Sequence, residues 1–228
     1  MIFNWDWNLK KFNEKIFNWK TFRNHHSKYI AYCGGLSIIT PPLVGYNLKS
    51  LYGSTSLPYC WGTLKMFPYQ FVLRGGQLAL ATELKNQTHP LVAFSSIGIF
   101  QGIIYGHVNQ TWAHFFPKIQ KMRPNMMRGI LFAANRDMIS QGIPFLMNDY
   151  GLGAVLATSF FSILLSQGFH NCQTIMQMNR YETYLSTIQN GFSKYKYGLF
   201  YKGYFSRVLM MMGVNTLNYL FLRDIWNN

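Results

Sequence analysis

Six stretches of the chain are apolar enough, and long enough or nearly so, to cross a bilayer as helices. They lie near 28–50, 66–84, 90–116, 127–149, 152–178 and 205–222. Gly, Ser, Thr, Asn and Gln recur within each of them. Small and weakly polar residues of this kind are what close packing between membrane helices requires. The competing arrangement, a soluble bundle, would need charged outer faces. This chain cannot supply them, because Asp, Glu, Lys and Arg make up only 12% of it, against about a quarter in soluble domains. With 228 residues there is room for one compact bundle.

The charges that are present fall in a pattern. The net charge is +14, from 21 Lys/Arg and 7 Asp/Glu. Lys118, Lys121, Arg123 and Arg128 crowd the connection at 117–128, which has no acid. Arg180, Lys194, Lys196 and Lys202 stand against Glu182 at 179–206. The connections at 84–90 and near 150 are short and nearly uncharged. Alternate loops are thus basic, which puts them all on one side of a membrane. Such placement suits anionic lipid head groups better than nucleic acid, and nucleic-acid binding is not expected.

The starts of the second, fourth and sixth segments can be laid over one another: CWGTLKMFPYQFVLRGGQLALATELK, MRGILFAANRDMISQGIPFLMNDY and YKGYFSRVLMMMGVNTLNYLFLRD. Each places a glycine early (Gly62, Gly129, Gly203), runs apolar for about five helical turns, and closes near an acid (Glu83, Asp149, Asp224). The pattern predicts a threefold internal repeat. Its limits are about 28–85, 88–150 and 151–226, preceded by a separate segment at 1–27.

These motifs resemble the mitochondrial carrier family. The resemblance covers about residues 28–226 and is best over 127–224. It implies an all-α membrane protein with six transmembrane helices in three pseudo-repeats. In that family each repeat pairs two tilted helices through a loop that carries a short helix on the matrix side. Tyr184, Leu185, Ile188 and Phe192 give the apolar spacing of that short helix in the third repeat. Gly198 follows in a linker, and Lys202-Gly203 opens the sixth helix. The connections at 51–65 and 117–128 are too short for a full helix of this kind.

The chemistry departs from the family. Carriers end each odd helix with Pro-x-Asp/Glu-x-x-Lys/Arg, whose acids and bases pair between repeats to close the matrix gate. The matching positions here are Pro42, Val44, Asn47 in the first repeat and Gly168, His170, Gln173 in the third. In the second, Gly106, Val108, Thr111 is the best register. No Asp or Glu occurs between Glu14 and Glu83, between Glu83 and Asp137, or between Asp149 and Glu182. No choice of register restores the acids, so a three-repeat salt-bridge gate cannot form from these helices. The opposite gate keeps Glu83, Asp149 and Asp224 without a consistent basic partner.

Substrate contacts in carriers lie on the even helices. Arg136 and Asp137 match such a position on the fourth, while Met210 stands where the sixth often has Arg. A charged pair at that depth must face a cavity or a partner. Arg136 could bind an anionic or amino-acid substrate group. Alternatively Arg136 and Asp137 satisfy each other, or an adjacent subunit, as relics of transport. The lost gates favour the second.

Residues 1–28 are basic and carry a helical apolar stripe of Trp5, Leu9, Phe12, Ile16 and Trp19. Such a helix suits a membrane interface or a partner protein. It lacks the apolar core and cleavage site of a secretory signal, and with one Arg, almost no Ser and two acids (Asp6, Glu14) it makes a poor presequence. Cys33, Cys60 and Cys172 are isolated and read as buried thiols. His25-His26 offers too few ligands for a metal site, and His107, His114 and His170 read as hydrogen-bonded membrane histidines. Phosphate loops, a Ser-His-Asp order and paired carboxylates are all missing. Neither an enzyme nor a cofactor is expected.

The expectation is therefore a transport-inactive, carrier-like protein of the mitochondrial inner membrane, serving as an accessory subunit of an assembly such as a respiratory-chain complex. Its partners would be other inner-membrane subunits and membrane lipids, anionic ones such as cardiolipin included. The alternative is an active, divergent carrier exchanging an anionic or amino-acid metabolite.

Overall fold

The computed structural model describes residues 27, 30–38, 40, 49–51, 67–68, 71–72, 89–113, 127–179 and 182–226, without side-chain surroundings at 107–113, 221–222 and 224–226. Pro42, Val44, Asn47, Gly62, Glu83, Cys60, His25, His26, His114 and the amphipathic segment 1–26 lie outside the described residues. Helix accounts for 90% of the structure and strand for none of the described residues, as an all-α fold requires.

The elements in chain order are α1 (Pro90–Ala113), α2 (Ile130–Asp137), a π-helical turn (Met138–Gly142), α3 (Ile143–Leu146) and a 3-10 turn (Asn148–Tyr150). They continue with α4 (Leu152–Met178), α5 (Tyr184–Tyr195), α6 (Gly198–Tyr201) and α7 (Tyr204–Trp226). Among the described residues, α4 alone is long and apolar enough to cross a membrane.

α4 is the hub and touches every other element just named. Its polar residues recur at 159, 162, 166, 170, 173 and 177, the three-and-four spacing of one helical face. Ser159, Ser162, Ser166, His170, Gln173 and Gln177 are all buried there. The opposite face carries Phe160, Phe161, Leu164 and Leu165, and these are exposed, Leu165 at 67%. A soluble helix has the reverse arrangement.

α1 and α2 cross at very short range because Gly98 and Gly102 form a Gly-x-x-x-Gly seam. A Cβ on Gly98 would sit 2.6 Å from the Ala133 carbonyl oxygen and 2.7 Å from the Ala134 Cα. Small residues at four-residue spacing let backbones approach in this way. Behind the seam, Phe94, Ile97 and Phe145 make a compact apolar cluster.

The π turn follows directly from a sequence signal. Pro144 has no N–H to give the Ser140 carbonyl, which would be its helical partner. Asn215 of α7 donates to that carbonyl instead, at 3.2 Å, and to Ser159 Oγ of α4 at 2.9 Å. The fourth apolar stretch is therefore one rod in three pieces, pinned at its bend by a carboxamide.

The helix expected from Tyr184, Leu185, Ile188 and Phe192 is present as α5. Thr183 and Ser186 start it with a reciprocal capping box. Tyr184 packs its ring on Phe132, with 5.1 Å between centroids. Leu185, Ile188 and Phe192 are exposed. Gly198, expected in a linker, opens the one-turn helix α6.

Candidate functional site

Two glycines in the left-handed conformation set up the site. Gly129 before α2 and Gly203 before α7 both have φ of 73°, a value that L side chains rarely adopt. Each turn leaves the carbonyl of a preceding basic residue outside the helical ladder, and α4 captures both. Gln177 Nε2 donates to the Arg128 carbonyl at 3.1 Å and to the Gly102 carbonyl at 2.9 Å. Gln167 Nε2 and Asn171 Nδ2 donate to the Lys202 carbonyl at 2.7 and 3.0 Å. Asn171 also holds the Leu199 carbonyl at 2.8 Å. The Arg128 side chain in turn reaches the Met176, Asn179 and Glu182 carbonyls around the C-terminus of α4. A cation is favoured at that end of a helix.

With its start held, α2 aims Arg136 and Asp137 into the core, at 4% and 1% exposure. Arg136 Nε donates to Asp137 Oδ1 at 2.6 Å and Nη2 to Oδ2 at 2.7 Å, a two-pronged ion pair. Nη1 reaches Gln173 Oε1 at 2.7 Å, Nη2 also reaches Gln101 Oε1 at 3.0 Å, and the guanidinium lies 5.3 Å from the Tyr105 ring centroid. The pair is thus neutral, with carboxamides from α4 and α1 around it.

The expected gate positions divide. Gln173, where carriers have a base, is an acceptor for Arg136. His170, where they have an acid, is buried on the same face of α4 and lies in the electrostatic field of two guanidiniums. Gly168 belongs elsewhere: a Cβ there would meet Phe200 Cδ1 at 2.8 Å, so its role is to admit the α6 ring. In the second repeat, the Val108 and Thr111 side chains lie outside the described residues. Of the methionines on α7, Met210 and Met211 are buried and Met212 partly so. Their soft side chains fill space as apolar volume. Cys33 and Cys172 are buried free thiols.

Arg207 is the residue that the repeat alignment missed. It is 2% exposed, with Nη2 donating to Ser166 Oγ at 2.9 Å and Nη1 to Gln167 Oε1 at 3.1 Å. Alignment on the glycines directs attention seven residues on, to Met210, while the charge lies one turn earlier. A lone Arg inside an apolar stretch was the available signal.

A pocket of about 190 Å³, its open mouth included, lies at the π turn between Phe94, Phe145, Gln141, Asn148, Asn215 and Asn218. The part of it that can hold a water-sized group is about 10 Å³, far below the range of about 300–1,000 Å³ typical of metabolite sites. No group of three or more His, Cys, Asp or Glu among the described residues could hold a metal ion. Comparison with protein-family models, with curated proteins and with solved structures found no match to the chain.

Proposed function

We propose that the protein is a transport-inactive, carrier-like membrane subunit. In this reading its six apolar stretches span the mitochondrial inner membrane as three pseudo-repeats, and it serves within a larger assembly, most plausibly a respiratory-chain complex. The observation that carries the reading is the state of Arg136. The side chain best placed to bind a substrate is occupied by Asp137, Gln101 and Gln173, and is almost wholly buried. A transporter must break and remake such contacts between two states of similar energy. Here the ion pair joins adjacent residues of one helix, so movement of one repeat against another leaves it intact.

Two further features support a membrane setting. The interior is polar along α4, while large apolar side chains such as Phe161, Leu165, Phe205 and Leu209 face outward. Helical residue Tyr32 hydrogen bonds Asn218 of α7, bringing the first apolar stretch beside the last as a closed ring of repeats would. Membrane lipids, anionic ones such as cardiolipin included, and neighbouring subunits are the partners this implies. The basic alternate loops support lipid contact on one side.

The test has two parts. Native gel electrophoresis of the endogenous protein should place it in a large complex rather than at the size of the lone chain. Purified protein in liposomes should show no saturable metabolite uptake. Saturable uptake that disappears on Arg136→Ala would replace this reading with the active-carrier alternative.

A further inference from the structure

The buried side chains of Gln101, Arg136, Gln173 and Gln177 form a closed hydrogen-bonded circuit with the backbone. Arg136 Nη1 donates to Gln173 Oε1 at 2.7 Å, and Gln173 Nε2 donates to Gln177 Oε1 at 3.3 Å. Gln177 Nε2 then donates to the Gly102 and Arg128 carbonyls at 2.9 and 3.1 Å. Arg136 Nη2 also reaches Gln101 Oε1 at 3.0 Å, and Gln101 is joined to Gly102 through the chain, which closes the loop.

The circuit runs in one direction, fixed at both ends. A guanidinium can only donate, so Gln173 must turn its oxygen to Arg136 and its Nε2 onward. A backbone carbonyl can only accept, so Gln177 must face the two carbonyls with its Nε2. Neither carboxamide can flip without setting oxygen against oxygen or donor against donor. Hydrogen bonds in series strengthen one another in a buried setting, and this series starts at a charged donor. The Arg128 carbonyl lies just ahead of the Gly129 turn, and the Gly102 carbonyl, inside α1, has a second lone pair to offer.

The elements joined in this way are distant in the chain. Gln101 and Gly102 belong to α1, Arg136 to α2, and Gln173 and Gln177 to α4, with Arg128 at the turn into α2. On the carrier-like reading α1 and α2 fall in the second repeat and α4 in the third. The circuit also sits where two of the helices are closest, since a Cβ on Gly102 would lie 2.8 Å from Ala133 Cβ. The Arg136–Asp137 pair stays within one helix and supplies charge; the glutamines carry the connection across.

We propose that this circuit is a conformational lock that holds α1, α2 and α4 as one body. Sliding α4 against the other two would leave buried carboxamides and a guanidinium misaligned, each with polar atoms unmade. Its bearing on transport rests on the transport-inactive reading, while the lock itself does not. Saturable uptake in liposomes would overturn that reading and leave the lock standing; the lock is tested separately.

Hydrogen exchange of the full chain in a neutral detergent is followed in segments around Gly102, Gly129 and Gly203. In the parent, amides around Gly102 and Gly129 should open with one free energy and one denaturant dependence. Gln173→Met keeps the Cγ that packs against Gly129 and removes the carboxamide. It should speed exchange about tenfold around Gly102 on α1, the equivalent of one charge-assisted hydrogen bond. Gln101→Leu, on α1, should reciprocally speed exchange around Gly129. The Gly203 segment, pinned by Gln167 and Asn171 outside the circuit, should keep its rate in both variants. The lock is overturned if each substitution loosens only its own helix, or if all three segments loosen equally. Should neither variant fold, unequal opening of the Gly102 and Gly129 segments in the parent overturns it.

Discussion

The starts of α2 and α7 are the same device built twice. Arg128-Gly129 and Lys202-Gly203 both make a left-handed turn at φ 73°, and α4 carboxamides hold the basic residue's carbonyl in both. Beyond the turn the two helices part. Four residues on, α2 has Ala133, fully buried beneath Gly98, and α7 has the buried Arg207. Seven residues on, α2 has Arg136 with its own counterion next in sequence, and α7 has Met210. The likeness between the two starts holds where the backbone must turn and be pinned, and it ends where side chains carry charge. Backbone geometry tolerates few alternatives, whereas a buried charge can move by a turn if the facing helix offers polar groups along its length.

That comparison can be broken most directly at Asp137. Asp137→Ala leaves Arg136 buried without its counterion and should destabilise the protein by about 3–5 kcal/mol. The double variant Arg136→Met with Asp137→Leu should recover most of the loss. Thermal melting in detergent measures both, and an equal drop for single and double variants would remove the pair from the account.

The next effect is steric. Gly98→Leu drives a side chain into the Ala133 carbonyl and should cost about 1–3 kcal/mol or more. Gly213→Ala, on the exposed face of α7 with nothing within 4 Å of an added Cβ, should stay within about 0.5 kcal/mol of the parent by the same melting experiment.

The equivalence of the two starts is sharpened by removing their pins one at a time. Gln177→Ala should cost about 1–3 kcal/mol and expose amides near Gly129 to hydrogen exchange, and Asn171→Ala should do likewise near Gly203. If either substitution loosened both starts equally, the pins would not be separate devices.

The smallest effect has the opposite sign. Lys196, after α5, is the non-glycine residue with positive φ, at 49°, among the described residues. Lys196→Gly should stabilise by about 0.5–1 kcal/mol, seen as a small rise in melting temperature.

Several of these features were legible beforehand. Gly129 and Gly203 followed from laying the two helix starts over one another, α5 from the spacing of Tyr184, Leu185, Ile188 and Phe192, and the mutual satisfaction of Arg136 and Asp137 from the scarcity of other acids. The polar stripe of α4 was also in plain view at three-and-four spacing. It was easily passed over because periodic polarity in a helix usually marks the outside, and here it marks the inside. Arg207 escaped because an alignment compares positions, not neighbours.

The sequence by itself determined the all-α class, the places where chains of helix must turn, and the scarcity of acids. These depend on local rules: which residues adopt positive φ, which lack an N–H, and which carry charge. Only the tertiary structure decided that Gln173 serves Arg136 while Gln167 and Asn171 serve a carbonyl. It also placed Arg207 in the core, bonded to Ser166, Gln167 and the Ile163 carbonyl among the described residues. Those outcomes turn on distances of about 3 Å between groups some 30 to 40 residues apart in sequence, set by how α4 packs against α2 and α7.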